Sequence, residues 1–151
     1  MGDEIELEFV DTNIFVYAYD LSTGEKHKTA LALVKQLWDS HQGCISIQVL
    51  QELFVSLTRK INPPLNTEIA AQIVQDLSTW QTYVPGKEDV LQAIEITKQF
   101  NISFWDAMII QSAIRAGCKQ IWSEDLNDTQ IYGQARILNP FAIPKYRTPA
   151  S

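Results

Sequence analysis

Short apolar runs that suit β-strands alternate along the 151-residue chain with longer segments whose apolar residues recur at helical spacing. This alternation predicts an α/β fold in which a parallel sheet carries helices on both faces. Residues 14–19 are predicted to include a short helical turn, and residues 131–133 to form a loop. The predicted strands are 7–10, 44–47, 80–84, 120–123 and 135–138, and the predicted helices are about 26–40, 48–60, 67–79, 88–100 and 103–115.

Local signals mark the ends of two of these helices. The Asn62-Pro63-Pro64 segment ends the helix that reaches Lys60, because proline lacks an N–H group and disfavours a helical conformation in the residue before it. Residues 103–106 have the form of a capping box, and Gly117 suits the position just after a helix. The helix between them is apolar on most sides, so we expect it in the core.

The composition is that of an ordinary globular protein, with 46% apolar residues, 10% aromatic residues, six glycines and six prolines. We expect one domain over residues 1–143, followed by a loose tail at 144–151. A chain of this size buries roughly 70% of the surface that its unfolded form exposes, which supplies a core without a metal or disulfide. Any bound metal is therefore expected to serve function rather than folding.

The N-terminus and the cysteines bear on cellular location. The first residues are acidic where a signal peptide would be basic, and no apolar run approaches the ~20 residues of a membrane span. Cys44 and Cys118 lack the C-x-x-C spacing of a zinc or redox site and lie in apolar stretches, so we expect buried free thiols. We expect a cytoplasmic protein that does not contact a membrane.

The formal net charge of −6 argues against a large basic surface for nucleic acid. A nucleic-acid enzyme fits that charge only if the acids are concentrated where cations neutralise them, or if a partner contributes basic surface. Catalysis by paired histidines is not expected. His27 and His41 lie at opposite ends of one predicted helix, about 20 Å apart at 1.5 Å per residue.

Four acidic residues stand where a parallel α/β sheet would place functional groups. Ligands bind beyond the carboxyl ends of parallel strands, so acids that follow neighbouring strands are expected to share one edge of the sheet. Several carboxylates in one pocket repel each other, and a hard cation such as Mg²⁺ or Mn²⁺ relieves that repulsion. The four are Asp11 after the first strand, Glu52 in the helix after the second, Asp106 in the first turn of the buried helix, and Asp125 after the fourth strand.

Each acid also has a purely structural interpretation. Asp11 could make a turn with its own backbone, and Glu52 lies beside an apolar stripe where a solvated flank is common. Asp106 could be only the third residue of a helix, where an acid favours the positive helix end. Asp125 could belong to a solvated loop at 124–128. For each acid taken alone, its position in the sequence does not decide between a structural and a functional role.

The order and context of these acids resemble the PIN-domain family. Residues 9–14, Phe-Val-Asp-Thr-Asn-Ile, are similar to the family's opening motif, in which an apolar strand delivers an Asp and then an Asn. Residues 45–53 look like the second block, which carries a Glu, and residues 103–107 match the third, in which an Asp begins a buried helix. Residues 121–126 are similar to the fourth block, with a Ser two positions before an Asp. The resemblance covers essentially the whole chain in the right order.

The resemblance implies a PIN-like three-layer α/β/α sandwich with a central, mainly parallel sheet of four to five strands. It also implies a metal-dependent ribonuclease whose products carry 5′-phosphate and 3′-hydroxyl ends. Asp11, Glu52, Asp106 and Asp125 would be catalytic and hold one or two Mg²⁺ or Mn²⁺ ions.

The same resemblance assigns supporting residues around the acids. Thr12, Asn13 and Ser123 would orient the ligands or contact phosphate without adding charge. Glu124 and Asp128 lie close enough in sequence to share the fourth acidic position, which makes Asp128 a candidate metal ligand as well.

The resemblance is strongest to VapC-type toxins of toxin–antitoxin pairs, because the chain is little more than the catalytic domain. Such toxins are commonly homodimers that a small antitoxin holds inactive by covering the acidic pocket. A basic antitoxin segment would complement the net charge of −6. The expected partners are therefore an RNA substrate, a cognate antitoxin and a second copy of the chain.

Two other functions stay open at this stage. A PIN-like fold could serve as an interaction module with a degenerate pocket, and failure to bind Mn²⁺ would favour that function. A phosphatase of the haloacid dehalogenase type also begins with an Asp after its first strand and uses Mg²⁺. Such an enzyme needs a second Asp two positions on, where this chain has Asn13.

Overall fold

A computed structural model describes residues 5–142 of the chain, so the tail expected at 144–151 lies outside the described residues. Within this range the chain alternates between strands and helices, with short 3₁₀ turns at Leu21–Thr23 and Pro140–Ala142. The strands are β1 (Glu8–Val10), β2 (Gly43–Ser46), β3 (Gln81–Tyr83), β4 (Gln120–Trp122), β5 (Ile131–Tyr132) and β6 (Ala135–Leu138). The helices are α1 (Thr12–Tyr19), α2 (Glu25–Ser40), α3 (Ile47–Arg59), α4 (Thr67–Leu77), α5 (Lys87–Phe100) and α6 (Phe104–Arg115).

The described strands form one sheet in the order β3-β2-β1-β4-β6-β5, with β1 near its centre. Every neighbouring pair is parallel except β5 and β6, which run antiparallel. The predicted α/β class with a mainly parallel sheet is therefore confirmed. Because β2 and β4 flank β1 and run parallel to it, the segments that follow these three strands leave the sheet at the same edge.

The expected number of four to five strands is too small by one, because residues 131–133 were predicted as a loop. Tyr132 pairs with Ala135 across a two-residue turn, and Gly133 takes a φ of +58° there. Glycine adopts this conformation at no steric cost, which allows so tight a hairpin. A strand of two residues is too short to show the alternation on which a prediction from sequence depends.

The first helix also differs from expectation. In place of a short turn, α1 begins directly after β1 and continues for two turns to Tyr19. Asp11 stands at its N-cap, where its side chain accepts a hydrogen bond from the Thr12 N–H group at 2.7 Å. The reversal from strand to helix therefore takes place at the residue that carries the first candidate carboxylate.

Two groups of helices pack against the sheet. Helix α1 packs on α2 and α3, and α3 packs on α4, while α5 pairs with α6. Helix α6 contacts β2, β3 and β6, and its residues 107–113 are all buried, which confirms its predicted place in the core. Beyond its end, Gly117 has a φ of +83°, as expected for a glycine just after a helix. Among the described helices, none combines the length and apolar character that a membrane crossing requires.

Aromatic rings fill the core between α1, α2 and the start of β2. The ring of Trp80 makes edge contacts with Phe15 and Trp38, with centroids 5.4 and 5.5 Å apart. Gly43, the first residue of β2, lies against the same indole, and a β-carbon at this position would overlap it. The two cysteines, Cys44 and Cys118, are free and fully buried, as predicted.

We expect the substitution Gly43→Ala to lower the free energy of unfolding by about 1–3 kcal/mol, because the added methyl group forces Trp80 out of its packing position. Urea unfolding monitored by circular dichroism measures the loss. Gly86→Ala is the matched control, since a β-carbon there would have no atom closer than Glu88 Oε1 at 3.8 Å. Equal stability of the two variants would show that the indole does not fill this space.

Candidate active site

Asp11 is the buried centre of the candidate site, with 5% of its surface exposed. Its Oδ2 atom accepts hydrogen bonds from Ser123 Oγ at 2.7 Å and Asn13 Nδ2 at 3.2 Å. The Asp11 N–H group also bonds to the carbonyl of Trp122 at 2.9 Å, which continues the pairing of β1 with β4. Ser123 therefore meets Asp11 at the edge where the neighbouring parallel strands β1 and β4 end.

Glu52 lies on α3 with its carboxylate turned towards α1 and half-buried. Its Oε1 atom accepts a hydrogen bond from Thr12 Oγ1 at 2.7 Å, and its Oε2 atom accepts one from Gln48 Nε2 at 3.0 Å. Thr12 thus contacts both acids, with its N–H group on Asp11 and its hydroxyl on Glu52. These bonds hold the Glu52 carboxylate near Asp11, so Glu52 is not a freely solvated side chain on the flank of the helix.

Asn13 connects Asp11 to the segment that follows β4. Its side-chain amide donates to Asp125 Oδ2 at 3.1 Å as well as to Asp11, and its Oδ1 atom accepts from the Glu124 N–H group at 3.1 Å. The Asp125 N–H group also donates to Ser123 Oγ at 3.2 Å. The exposed carboxylate of Asp125 is therefore held near the buried carboxylate of Asp11.

Asp106 lies in the first turn of α6 and is half-buried. Its N–H group donates to Ser103 Oγ at 3.1 Å, which is one of the two bonds of the predicted capping box. Burial raises the pKa of the Asp106 carboxyl, and the negative charges of Asp125 and Glu52 raise it further. Asp106 therefore lies near enough to Asp125 and Glu52 for their charges to act on its carboxyl. The other three acids, Asp11, Glu52 and Asp125, are linked by hydrogen bonds from Thr12 and Asn13.

The other two candidates for the fourth acidic position have different partners. Glu124 forms an ion pair with Lys26 and accepts a hydrogen bond from the Tyr17 hydroxyl at 2.6 Å. Asp128 accepts the Asn139 N–H group at 2.8 Å. Among the acids of this loop, Asp125 is the one whose carboxylate bonds to the Asn13 amide alongside Asp11, so the contacts favour it for the predicted role.

The pKa of Asp11 shows that its negative charge is unfavourable in this buried position. Burial raises the pKa of its carboxyl to about 7, and the charges of Glu52 and Asp125 contribute, although the bonds from Ser123 and Thr12 oppose the rise. The donors around Asp11 are neutral groups. At neutral pH the pocket therefore favours either a proton or a cation on this carboxylate.

The carboxylates suit Mg²⁺ or Mn²⁺ in ligand type, since both ions prefer oxygen donors. Among residues 5–142, no group of three or more His, Cys, Asp or Glu side chains is arranged so that it could hold a metal ion by itself. Mg²⁺ does not require one, because it is usually held by one or two carboxylates together with water and substrate phosphates. The donor set therefore fits such a cation.

An open cleft of about 600 Å³ adjoins the acids between α1 and α3. Its lining includes the apolar residues Val16 and Val55, the acids Glu52, Glu124 and Asp125, and the positively charged Lys60. Lys60 follows Glu52 by eight residues along α3, or about 12 Å at 1.5 Å per residue. The cleft is therefore open enough for an extended ligand, and it carries the positive charge of Lys60 at a distance from the carboxylates.

Gln48 and Asp89 are two of the buried polar residues that were not singled out from the sequence. Gln48 binds Glu52 and belongs to the site. Asp89 accepts hydrogen bonds from Gln111 Nε2 at 2.9 Å, the Gly86 N–H group at 2.8 Å and the Tyr83 hydroxyl at 2.7 Å.

Although burial itself raises the pKa of Asp89, these bonds and nearby Arg115 hold it below its usual value. Asp89 thus connects β3, α5 and α6 as a structural acid. The turn pair Pro85-Gly86, followed by an acid at the third helical position, is the sequence signal that could have found it.

The mainly parallel sheet and the acids after its strands define an α/β protein with the arrangement that the four sequence blocks resembled. The sequence matches the PIN domain family over residues 9–133, so the chain belongs to this family. The resemblance stated from the residues is thereby confirmed. No curated protein matches the chain.

Solved structures of toxins share the fold. VapC20 of Mycobacterium tuberculosis, described as a toxin that cleaves the Sarcin-Ricin loop, is 24% identical, with a TM-score of 0.57 over 76% of this chain and 86% of that chain. A toxin–antitoxin complex from Klebsiella pneumoniae is 18% identical, with a TM-score of 0.63 over 88% and 97%. VapBC2 from Rickettsia felis, bound to a DNA fragment from its promoter, is 17% identical, with a TM-score of 0.50 over 79% and 88%. At these identities the likeness shows the fold.

The raised pKa of Asp11 predicts how the stability of the metal-free protein depends on pH. A carboxyl whose pKa rises from 3.8 to about 7 on folding favours the folded state at low pH, and this contribution is lost as pH rises through about 7. In EDTA, we expect the wild type to lose about 2–3 kcal/mol more than Asp11→Asn between pH 5 and pH 8. Urea unfolding at both pH values measures this difference, and equal losses would contradict it.

Proposed function

We propose that the chain is a metal-dependent endoribonuclease that hydrolyses RNA phosphodiester bonds. The observation that supports the proposal is the network in which Thr12 and Asn13 hydrogen-bond to Asp11, Glu52 and Asp125 in a PIN-domain chain, with Asp106 near enough for two of these acids to raise its pKa. The catalytic and metal-binding roles of these acids are part of the proposal, as are products with 5′-phosphate and 3′-hydroxyl ends.

The acids and the neutral donors of the site have different proposed roles. Asp11, Glu52, Asp106 and Asp125 would hold one or two Mg²⁺ or Mn²⁺ ions. Such an ion, when bound, activates a water molecule and neutralises charge on the phosphate. The neutral donors Thr12, Asn13 and Ser123 hold the carboxylates in place without adding charge that would compete with the cation.

The cleft between α1 and α3 is the proposed path of the RNA strand. Glu52 and Asp125 are among the residues that line it, so a strand lying in it would bring a phosphate close to these two carboxylates. Lys60 provides a positive charge for a neighbouring phosphate in a chain whose net charge is −6. Lys26 is already paired with Glu124, which removes one negative charge from the same entrance.

We further propose that this nuclease is the toxin of a toxin–antitoxin pair and acts in the cytoplasm. The fold shared with a toxin that cleaves the Sarcin-Ricin loop and with two toxin–antitoxin complexes supports this setting. The acidic site and the net charge of −6 suit an antitoxin with a basic segment that covers the pocket. A short reading frame directly upstream of the gene would strengthen the proposal, and an isolated gene would weaken it.

The observations favour this function over the two alternatives. In place of the general acid that a haloacid dehalogenase-type phosphatase needs, Asn13 donates hydrogen bonds to Asp11 and Asp125. A non-catalytic PIN module would not need all four acids, and Asp11, Glu52, Asp106 and Asp125 are all present. The activity measurement below decides between a nuclease and such a module.

We expect the purified chain to cut RNA in Mn²⁺ or Mg²⁺ and to stop cutting in EDTA. Asp106→Asn removes one carboxylate charge from the site, so its rate should fall by roughly a hundredfold or more. Asp39→Asn, on the exposed side of α2, is the matched control and should cut like the wild type. Gel analysis of mixed structured and single-stranded RNAs measures the cutting.

Two outcomes would contradict the proposal. Equal cutting by Asp106→Asn and the wild type would identify a contaminating nuclease. Absence of cutting on every RNA, together with no Mn²⁺ binding in calorimetry, would favour the interaction module.

We also propose that the chain forms a homodimer through α5. Val90, Leu91 and Ile94 form an apolar stripe on this helix, with 39%, 62% and 41% of their surfaces exposed. Exposed apolar residues at helical spacing are suited to packing against a second protein surface. This stripe lies outside the acidic cleft, so pairing through it leaves the site open.

Leu91→Glu places a charge in the middle of this stripe and should convert the dimer to a monomer, because an unpaired charge is costly to bury. Light scattering after gel filtration gives the mass of each species. The control is Leu21→Glu, which makes the same change at a residue that is 79% exposed in the 3₁₀ turn at Leu21–Thr23. A wild type that is already monomeric would overturn the proposal.

A further inference from the structure

Gln48 lies buried in the first turn of α3, one turn before Glu52, and its side-chain amide faces two acceptors. Its Nε2 atom donates one hydrogen bond to Glu52 Oε2 at 3.0 Å and a second to the main-chain carbonyl of Trp105 at 3.2 Å. Trp105 directly precedes Asp106. One amide group therefore connects the carboxylate on α3 to the first turn of α6, where the next carboxylate is attached.

The orientation of this amide is fixed by the chemistry of its partners. A carboxylate and a main-chain carbonyl can only accept hydrogen bonds, so the NH₂ group of Gln48 must point at them. As a consequence, the Gln48 Oε1 atom is buried without a hydrogen-bond partner in the described part of the chain. An unpaired buried Oε1 atom is unfavourable for stability, and it accompanies the orientation in which the NH₂ group faces Glu52 and Trp105.

Each of the two carboxylate oxygens of Glu52 therefore accepts a hydrogen bond from a different residue. Thr12 Oγ1 binds Oε1 at 2.7 Å, and Gln48 Nε2 binds Oε2 at 3.0 Å. Each carboxylate oxygen has two lone pairs, so one bond to each still leaves a lone pair on both for a cation. The carboxylate is therefore fixed in direction before any ion arrives.

We infer that Gln48 is a positioning residue for the proposed metal site, which orients Glu52 for a divalent cation and fixes its carboxylate relative to the start of α6. This role rests on the proposed nuclease function and assigns a purpose to a residue outside the acidic motifs. Groups that hydrogen-bond to metal ligands without touching the ion typically contribute ten- to a hundredfold to metal affinity.

Gln48→Met tests the role, because methionine has a side chain of similar length but is apolar and cannot donate a hydrogen bond. We expect the Kd for Mn²⁺, measured by calorimetry on the full chain, to rise roughly tenfold or more. The midpoint of urea unfolding in EDTA should change little, since the substitution also removes the unpaired Oε1 atom. In RNA cleavage at subsaturating Mn²⁺, kcat should fall and added Mn²⁺ should restore part of it.

Gln111→Met is the matched control, because Gln111 is another buried glutamine that donates to a carboxylate, that of Asp89. We expect this variant to unfold at lower urea and to bind Mn²⁺ as the wild type does. Gln48→Asn supplies a second variant, since its shorter side chain keeps the amide but cannot reach both acceptors. It should also bind Mn²⁺ more weakly than the wild type.

The outcomes separate this role from the proposed function. If the wild type binds Mn²⁺ and both Gln48 variants bind it equally well, Gln48 has no positioning role and the nuclease proposal is unaffected. A loss of Mn²⁺ affinity in Gln111→Met as large as in Gln48→Met would show a general effect of lost stability and would overturn the inference. A wild type that binds no Mn²⁺ overturns both the metal site and the role of Gln48.

Discussion

The burial of the Asp11 carboxylate at the end of β1 is the constraint on which the candidate site depends. A buried negative charge is unfavourable unless hydrogen bonds or an opposite charge compensate it. The chain supplies the first kind of compensation through an N–H group, a hydroxyl and an amide, all of them neutral. Lys26 is paired with Glu124, one of the acids that line the cleft. The neighbouring carboxylates therefore leave a deficit of positive charge that an external cation can meet.

The topology of the sheet brings this charge together with the others. Because β1 lies between β2 and β4 and runs parallel to both, the residues after all three strands emerge at one edge. Asp11 follows β1 directly, α3 continues from β2 and carries Glu52, and Asp125 follows β4. Asp106 arrives separately at the start of the buried helix α6. Residues more than one hundred positions apart in sequence thus become hydrogen-bonded neighbours.

The sequence was sufficient where a pattern extends over many residues and insufficient where a single contact decides. The long amphipathic helices, the buried α6 and the meeting of Asp11 with the segment after β4 follow from periodicity and from the rule for parallel strands. The two-residue strand β5 was missed because its pairing depends on a tight turn at Gly133. Gln48 was missed because a lone glutamine beside an apolar stripe gives no sign that its amide binds a carboxylate.

One further feature gives the site an optical signal of its own. Trp105 stands next to Asp106, its carbonyl accepts the Gln48 amide, and its indole is 62% exposed, whereas Trp80 and Trp122 are buried. An exposed indole emits at longer wavelength than a buried one and is open to quenchers in water. The tryptophan fluorescence of the unlabelled protein should therefore contain a component that reports directly on what occupies the space beside α6.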